Sequence, residues 1–120
     1  MASVQISGGG FQDSEGNALV DGVVFFRLSA DSTDIETGTQ QICAGQTVSY
    51  TLDTSGNVPS GSTLWPNDLL ISNVTGNTDT FYFMSAEDEN GQVVYGPNAF
   101  QILSSPSPFV LNVLVPGNPA

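Results

Sequence analysis

At 120 residues the chain is the size of one domain, long enough to bury roughly two thirds of the surface its unfolded form exposes and to fold without staples. Charged residues make up only 11 % of it, and the balance is one-sided: twelve acids face a single base, Arg27, with no Lys and no His, for a formal charge of -11. That charge repels a phosphate backbone, which argues against a nucleic-acid partner, and without His or Lys a Ser or Cys nucleophile has no base to take its proton.

In chain order the sequence reads as strands and turns. Its start, Met1-Ala2-Ser3-Val4-Gln5-Ile6, has no basic or apolar leader character, and no run approaches a membrane span, so a cytosolic product without membrane insertion is expected. Val4 and Ile6 alternate with Ser3, Gln5 and Ser7 as a half-buried strand that ends in Gly8-Gly9-Gly10 before Phe11. A turn at residues 13–16, a short Ala18-Leu19-Val20 run and a second turn at Asp21-Gly22 lead into Val23-Val24-Phe25-Phe26-Arg27-Leu28, apolar on both faces. Residues 29–39 are acidic and polar, with the look of an exposed loop. Cys43, alone and between Ile42 and Ala44, reads as a small buried hydrophobe. From Thr47 to Leu52 the residues Val48, Tyr50 and Leu52 alternate with polar ones, and Pro66 interrupts the next strand-like run, residues 63–71. Asn73-Val74-Thr75 reads as a polar turn rather than a glycosylation site.

The clearest hairpin spans residues 80–96. Its first strand is again apolar on both sides, Tyr82, Met84 and Ala86 pointing one way and Phe81 and Phe83 the other, which places it inside a sheet. Residues 99–103 and 109–115 supply the last strands, separated by an extended linker, Ser104-Ser105-Pro106-Ser107-Pro108. The whole is expected as one domain over 1–120, with a C-terminal strand segment at about 104–120 that adds to a sheet.

Asp-x-x-Gly recurs at Asp13–Gly16, Asp53–Gly56 and Asp88–Gly91, each time between strand-like runs. It suits a type I turn in which Asp accepts backbone hydrogen bonds and Gly takes the left-handed conformation. The spacing matches no full calcium loop, so these acids read as turn chemistry and no metal or other cofactor is expected. With the acids in turns, no pair of carboxylates flanks a cleft, and an enzyme is not expected. Trp65, Tyr50, Tyr82 and Tyr95 could line a sugar platform, but at alternating strand positions aromatics are more often core; Trp65, beside the strand-breaking Pro66, stands apart.

The stretch from Gly10 through Asp13, Gly16, Leu19, Gly22 and Val24 to Phe26 resembles the opening of immunoglobulin-like and prealbumin-like sandwich modules, with Ala18 where such modules often carry Pro. Thr80-Phe81-Tyr82-Phe83 and Glu87-Asp88-Glu89-Asn90-Gly91 are similar to their later hairpin, and Leu64-Trp65-Pro66-Asn67-Asp68 resembles an arrangement in small tailed-bacteriophage virion modules. The resemblance implies an all-β fold, an antiparallel β-sandwich of about seven to nine strands, and a non-enzymatic virion structural protein that is made in the host cytoplasm. Such a protein serves in capsid decoration, a tail or a fibre. The alternative is a cell-surface adhesion or carbohydrate-binding module of a larger secreted protein. The expected core is Val24, Phe26, Leu28, Val48, Tyr50, Leu52, Tyr82, Met84 and Ala86. Arg27 is expected to pair with a carboxylate or backbone carbonyl, within the chain or across an interface. Phe25, Phe81 and Phe83 lack an obvious internal partner and, with Arg27 and Trp65, form the candidate interface for other virion proteins or further copies of the chain; a small-molecule ligand is not expected.

Overall fold

The computed structural model describes residues 4–13, 15–35, 38–39, 41–45, 47–104, 109–111 and 115–116; the linker expected at residues 104–108 lies almost wholly outside them. The fold is all-β. Its strands are β1 (Val4–Ser7), β2 (Val23–Leu28), β3 (Ser32–Asp34), β4 (Gln41–Ile42), β5 (Val48–Thr51), β6 (Thr63–Leu64), β7 (Leu70–Ser72), β8 (Tyr82–Glu87), β9 (Val93–Gln101), β10 (Phe109–Val110) and β11 (Val115–Pro116). They form a five-stranded sheet in the order β11-β9-β8-β2-β5 and two three-stranded sheets, β10-β1-β6 and β4-β3-β7. All pairings are antiparallel except β1 with β10.

The two strands that are apolar on both faces, β2 and β8, lie side by side within the five-stranded sheet, with Val24 opposite Ala86, Phe26 opposite Met84 and Leu28 opposite Tyr82. These six side chains are buried and share one cluster with Val4, Ile6, Leu64, Phe109 and Leu111 from the β10-β1-β6 sheet and its flank. Period-two alternation therefore sends one face of β2 and β8 into the core and leaves Val23, Phe25, Arg27, Phe83, Ser85 and Glu87 on the other. Pro66 does end a strand: after β6 a single 3-10 turn, Asn67–Leu69, re-aims the chain into β7.

All three Asp-x-x-Gly corners have one geometry. Each Asp Oδ1 accepts from the backbone N–H groups two and four residues on: Asp13 from Glu15 and Asn17, Asp53 from Ser55 and Asn57, Asp88 from Asn90 and Gln92, at 2.8–3.0 Å. Each Gly donates back to the Asp carbonyl at 3.0 Å and has a positive φ, 87° at Gly16, 75° at Gly56 and 82° at Gly91.

Four expectations are corrected. Residues 29–39 are not simply an exposed loop: β3 lies there between β4 and β7, with Ser32 and Asp34 buried. Its polarity conceals it, because Ser32 Oγ donates to the Ala30 carbonyl and Asp34 Oδ1 accepts from Gly38 N–H, so local hydrogen bonds make burial tolerable. Val48 is 36 % exposed rather than core, at the start of the edge strand β5, whereas Tyr50 two residues on is tied to β6, its hydroxyl donating to the Thr63 carbonyl at 2.5 Å and accepting from Thr63 N–H at 3.1 Å. Cys43 is exposed, just past the end of the edge strand β4, where Ile42 rather than Cys43 turns to the core. Residues 99–101 belong to β9 itself, which continues from Val93 through a cis Gly96–Pro97 bond; the ladder to β8 shifts register there, and at such a bulge the missing Pro97 N–H is not demanded.

Candidate protein interface

On the face of the five-stranded sheet turned away from the core, Arg27 stands opposite Phe83, Phe25 opposite Ser85 and Val23 opposite Glu87. Phe25, Arg27, Phe83, Ser85 and Glu87, with Thr47 and Pro97 at the margins, line a groove of about 480 Å³. Phe83 is 39 % exposed and Phe25 half-buried. The two aromatic rings thus form an apolar floor, with the Arg27 cation at one end and the Glu87 carboxylate four residues along the strand at the other. Among the described residues the Arg27 side chain makes no ion pair and no hydrogen bond.

Of the five candidate residues the fold thus brings together three, Phe25, Arg27 and Phe83. Phe81 precedes β8 and is buried, contrary to the expectation that it lacks an internal partner: its ring meets Phe83 edge-on at 5.1 Å, and it shares a hollow with Ser72, Val74, Thr75 and Asp79 of the neighbouring turn. It flanks Phe83 rather than lining the groove. Trp65 lies elsewhere, packed against the core, with a buried indole N–H that meets no partner among the described residues.

The other tyrosines of the hypothetical sugar platform are largely committed. Tyr82 is buried, its ring edge-on to Phe26 at 6.3 Å and its hydroxyl donating to the Trp65 carbonyl at 2.7 Å. Burial pushes this phenol well above its ordinary pKa, more than the hydrogen bond to Trp65 pulls it back. Tyr95 packs edge-on to Phe11 at 5.4 Å, beside a second cleft of about 480 Å³.

One polar cluster was not anticipated from the sequence. Asn67 is buried; its N–H donates to the Ile102 carbonyl, its Oδ1 accepts from Ile102 N–H at 2.8 Å and its Nδ2 donates to Thr80 Oγ1 at 3.1 Å. Next to it, Asp68 accepts from both the N–H and the hydroxyl of Ser104. The signal was the strand-breaking Pro66 followed at once by two side chains able to bond backbone. Among the described residues no group of three or more acidic or cysteine side chains is arranged to hold a metal ion, and no helix is long and apolar enough to cross a membrane. Comparison with protein families, characterised proteins and solved structures returns no match to the chain.

Proposed function

We propose that this chain is a non-enzymatic structural module of a tailed-bacteriophage virion, a capsid decoration, tail or fibre component, folded as an immunoglobulin-like or prealbumin-like sandwich and working through protein contacts. The observation that carries the contact reading is the outer groove. A sheet whose inner face already supplies the core still offers Phe25 and Phe83 to solvent, beside the chain's one cation. With Phe83 39 % exposed and Phe25 half-buried, covering what remains of each ring contributes roughly 1 kcal/mol, a share of a contact rather than the whole of it. The single cluster shared by the five-stranded and β10-β1-β6 sheets supports the sandwich, and the virion assignment rests on the resemblance of residues 10–26, 64–68 and 80–91. The carbohydrate-binding alternative is less favoured because Tyr50 and Tyr82 spend their hydroxyls on backbone and Trp65 packs on the core.

Quantitative mass spectrometry of purified phage particles whose genome encodes the chain tests both halves. The expected result is a fixed copy number per particle for the wild type and about fivefold fewer copies for Phe83→Ser, the loss of the roughly 1 kcal/mol that covering the exposed part of the ring contributes. Absence of the chain from particles overturns the virion reading; an unchanged copy number with Phe83→Ser overturns the groove.

A further inference from the structure

The five-stranded sheet ends on β5, and the phase of its ladder decides what that edge presents. Leu52 N–H donates to the Gly22 carbonyl at 2.7 Å, which extends by one pair the register of Val23 with Thr51, Val24 with Tyr50, Phe25 with Ser49 and Phe26 with Val48. Antiparallel pairs alternate between bonded and non-bonded, so Tyr50 and Val48 are the residues that bond to β2. Thr47, Ser49 and Thr51 therefore direct their N–H and C=O groups the other way. All three are exposed, and among the described residues no strand lies beyond β5.

Edge strands in natural proteins are guarded by charge, proline, a bulge or a cover. Among the described residues β5 has none of these: Thr47-Val48-Ser49-Tyr50-Thr51 is uncharged and proline-free in a chain with twelve acids, and its register with β2 is unbroken. It is also symmetric about its centre. Thr47 and Thr51 stand at equal distances from Ser49, so antiparallel pairing about a two-fold axis through Ser49 sets Thr47 against the second copy's Thr51 and Ser49 against its counterpart. Every outward N–H then meets a carbonyl, hydroxyl side chains face hydroxyl side chains, and no acid opposes an acid. A partner of another sequence would not need that symmetry.

We infer that β5 is a homodimerisation edge at which two copies join their five-stranded sheets into one. The axis runs perpendicular to the sheet, so both Phe25–Phe83 grooves come to lie on the same side. The pairing does not depend on the virion reading. Because each chain carries a charge of -11, the dimer tightens as salt screens the repulsion.

Sedimentation equilibrium of the full chain across micromolar to millimolar concentration is the test. The wild type should pass from monomer to dimer, several-fold more tightly at about 300 mM than at about 20 mM salt. Ser49→Pro, which removes only a solvent-side N–H, and Ser49→Asp, which opposes like charges at the axis, should each weaken association at least about tenfold. In a Cys43→Ser background, Ser49→Cys should oxidise to a disulfide-linked dimer, because opposed bonded residues lie about 5.5 Å apart, while Val93→Cys, exposed on β9, should not. A wild type that stays monomeric throughout, association unchanged by both Ser49→Asp and Ser49→Pro, or cross-linking of Ser49→Cys no faster than Val93→Cys would each overturn the inference. The aspartate and cysteine variants decide the question even where the proline variant does not fold.

Discussion

At Tyr82 a single side chain joins the five-stranded sheet to the segment leading into the 3-10 turn, the ring inside the core and the hydroxyl on the Trp65 carbonyl. Tyr82→Phe leaves that carbonyl unpaired and is expected to cost about 1 to 2 kcal/mol at neutral pH. The phenol's raised pKa adds a pH signature. Below about pH 10, the ordinary tyrosine value, both folded and unfolded states are protonated and its contribution is fully present. Above it the unfolded chain ionises first, the native state holds the extra proton, and stability falls by about 1.4 kcal/mol per pH unit toward the higher folded value. Urea melts from pH 7 into the alkaline range should show this decline in the wild type and a flatter one in Tyr82→Phe; parallel curves would mean that the hydroxyl is not shielded. At Asn67 the stake is different, because its bonds reach buried groups that water cannot serve. Asn67→Ala should cost about 2 to 4 kcal/mol, and Asp68→Ala, whose Ser104 contact is exposed, under about 1 kcal/mol. Equal losses would show that the buried cluster is not the anchor.

At the scale of elements, the repeated Asp-x-x-Gly corner separates local demand from tertiary demand. Gly16 and Gly56 both have a positive φ, 87° and 75°, yet a Cβ at Gly16 would meet nothing within 4 Å whereas one at Gly56 would strike the Phe11 carbonyl. Gly16→Ala should cost about 1 to 2 kcal/mol for the left-handed conformation alone, and Gly56→Ala about 3 kcal/mol or more, as the hairpin carrying Phe11 is pushed away. Thermal melts that rank the two equally would contradict that contact. The same distinction explains which elements were legible in the sequence. The corners, the break at Pro66 and the inward faces of β2 and β8 were legible because residue chemistry within a few positions specifies them. β3 was not, since its strand conformation is imposed by β4 and β7 on a polar segment. The exposure of Val48 and Cys43 depends equally on their places at the ends of edge strands, which no local pattern reports.

For the molecule as a whole, the candidate site was half legible for a related reason. Alternation placed Phe25, Arg27 and Phe83 on one surface, but whether a turn folds over Phe81 is a property of the three-dimensional path. Arg27, the single tryptic site, also reports on the integrity of the sheet, because β2 is held on both sides, by β5 and β8. The native chain should resist trypsin, with cleavage rising under urea in step with global unfolding. Rapid cutting in buffer alone would place Arg27 in a segment that opens by itself.

The parallel pairing of β1 with β10 sets Ile6 beside Phe109, so segments far apart in sequence meet in one sheet. On a ribosome that order of events has a cost in time. Elongating at about 5 to 20 residues per second, the machinery needs roughly 5 to 20 s to travel from Ile6 to Phe109. Throughout that interval the nascent chain displays β1 without its last neighbour. Its route to the native state therefore leaves that sheet open until Phe109 has emerged, and a holdase acting on the emerging chain would find its binding site in that waiting strand.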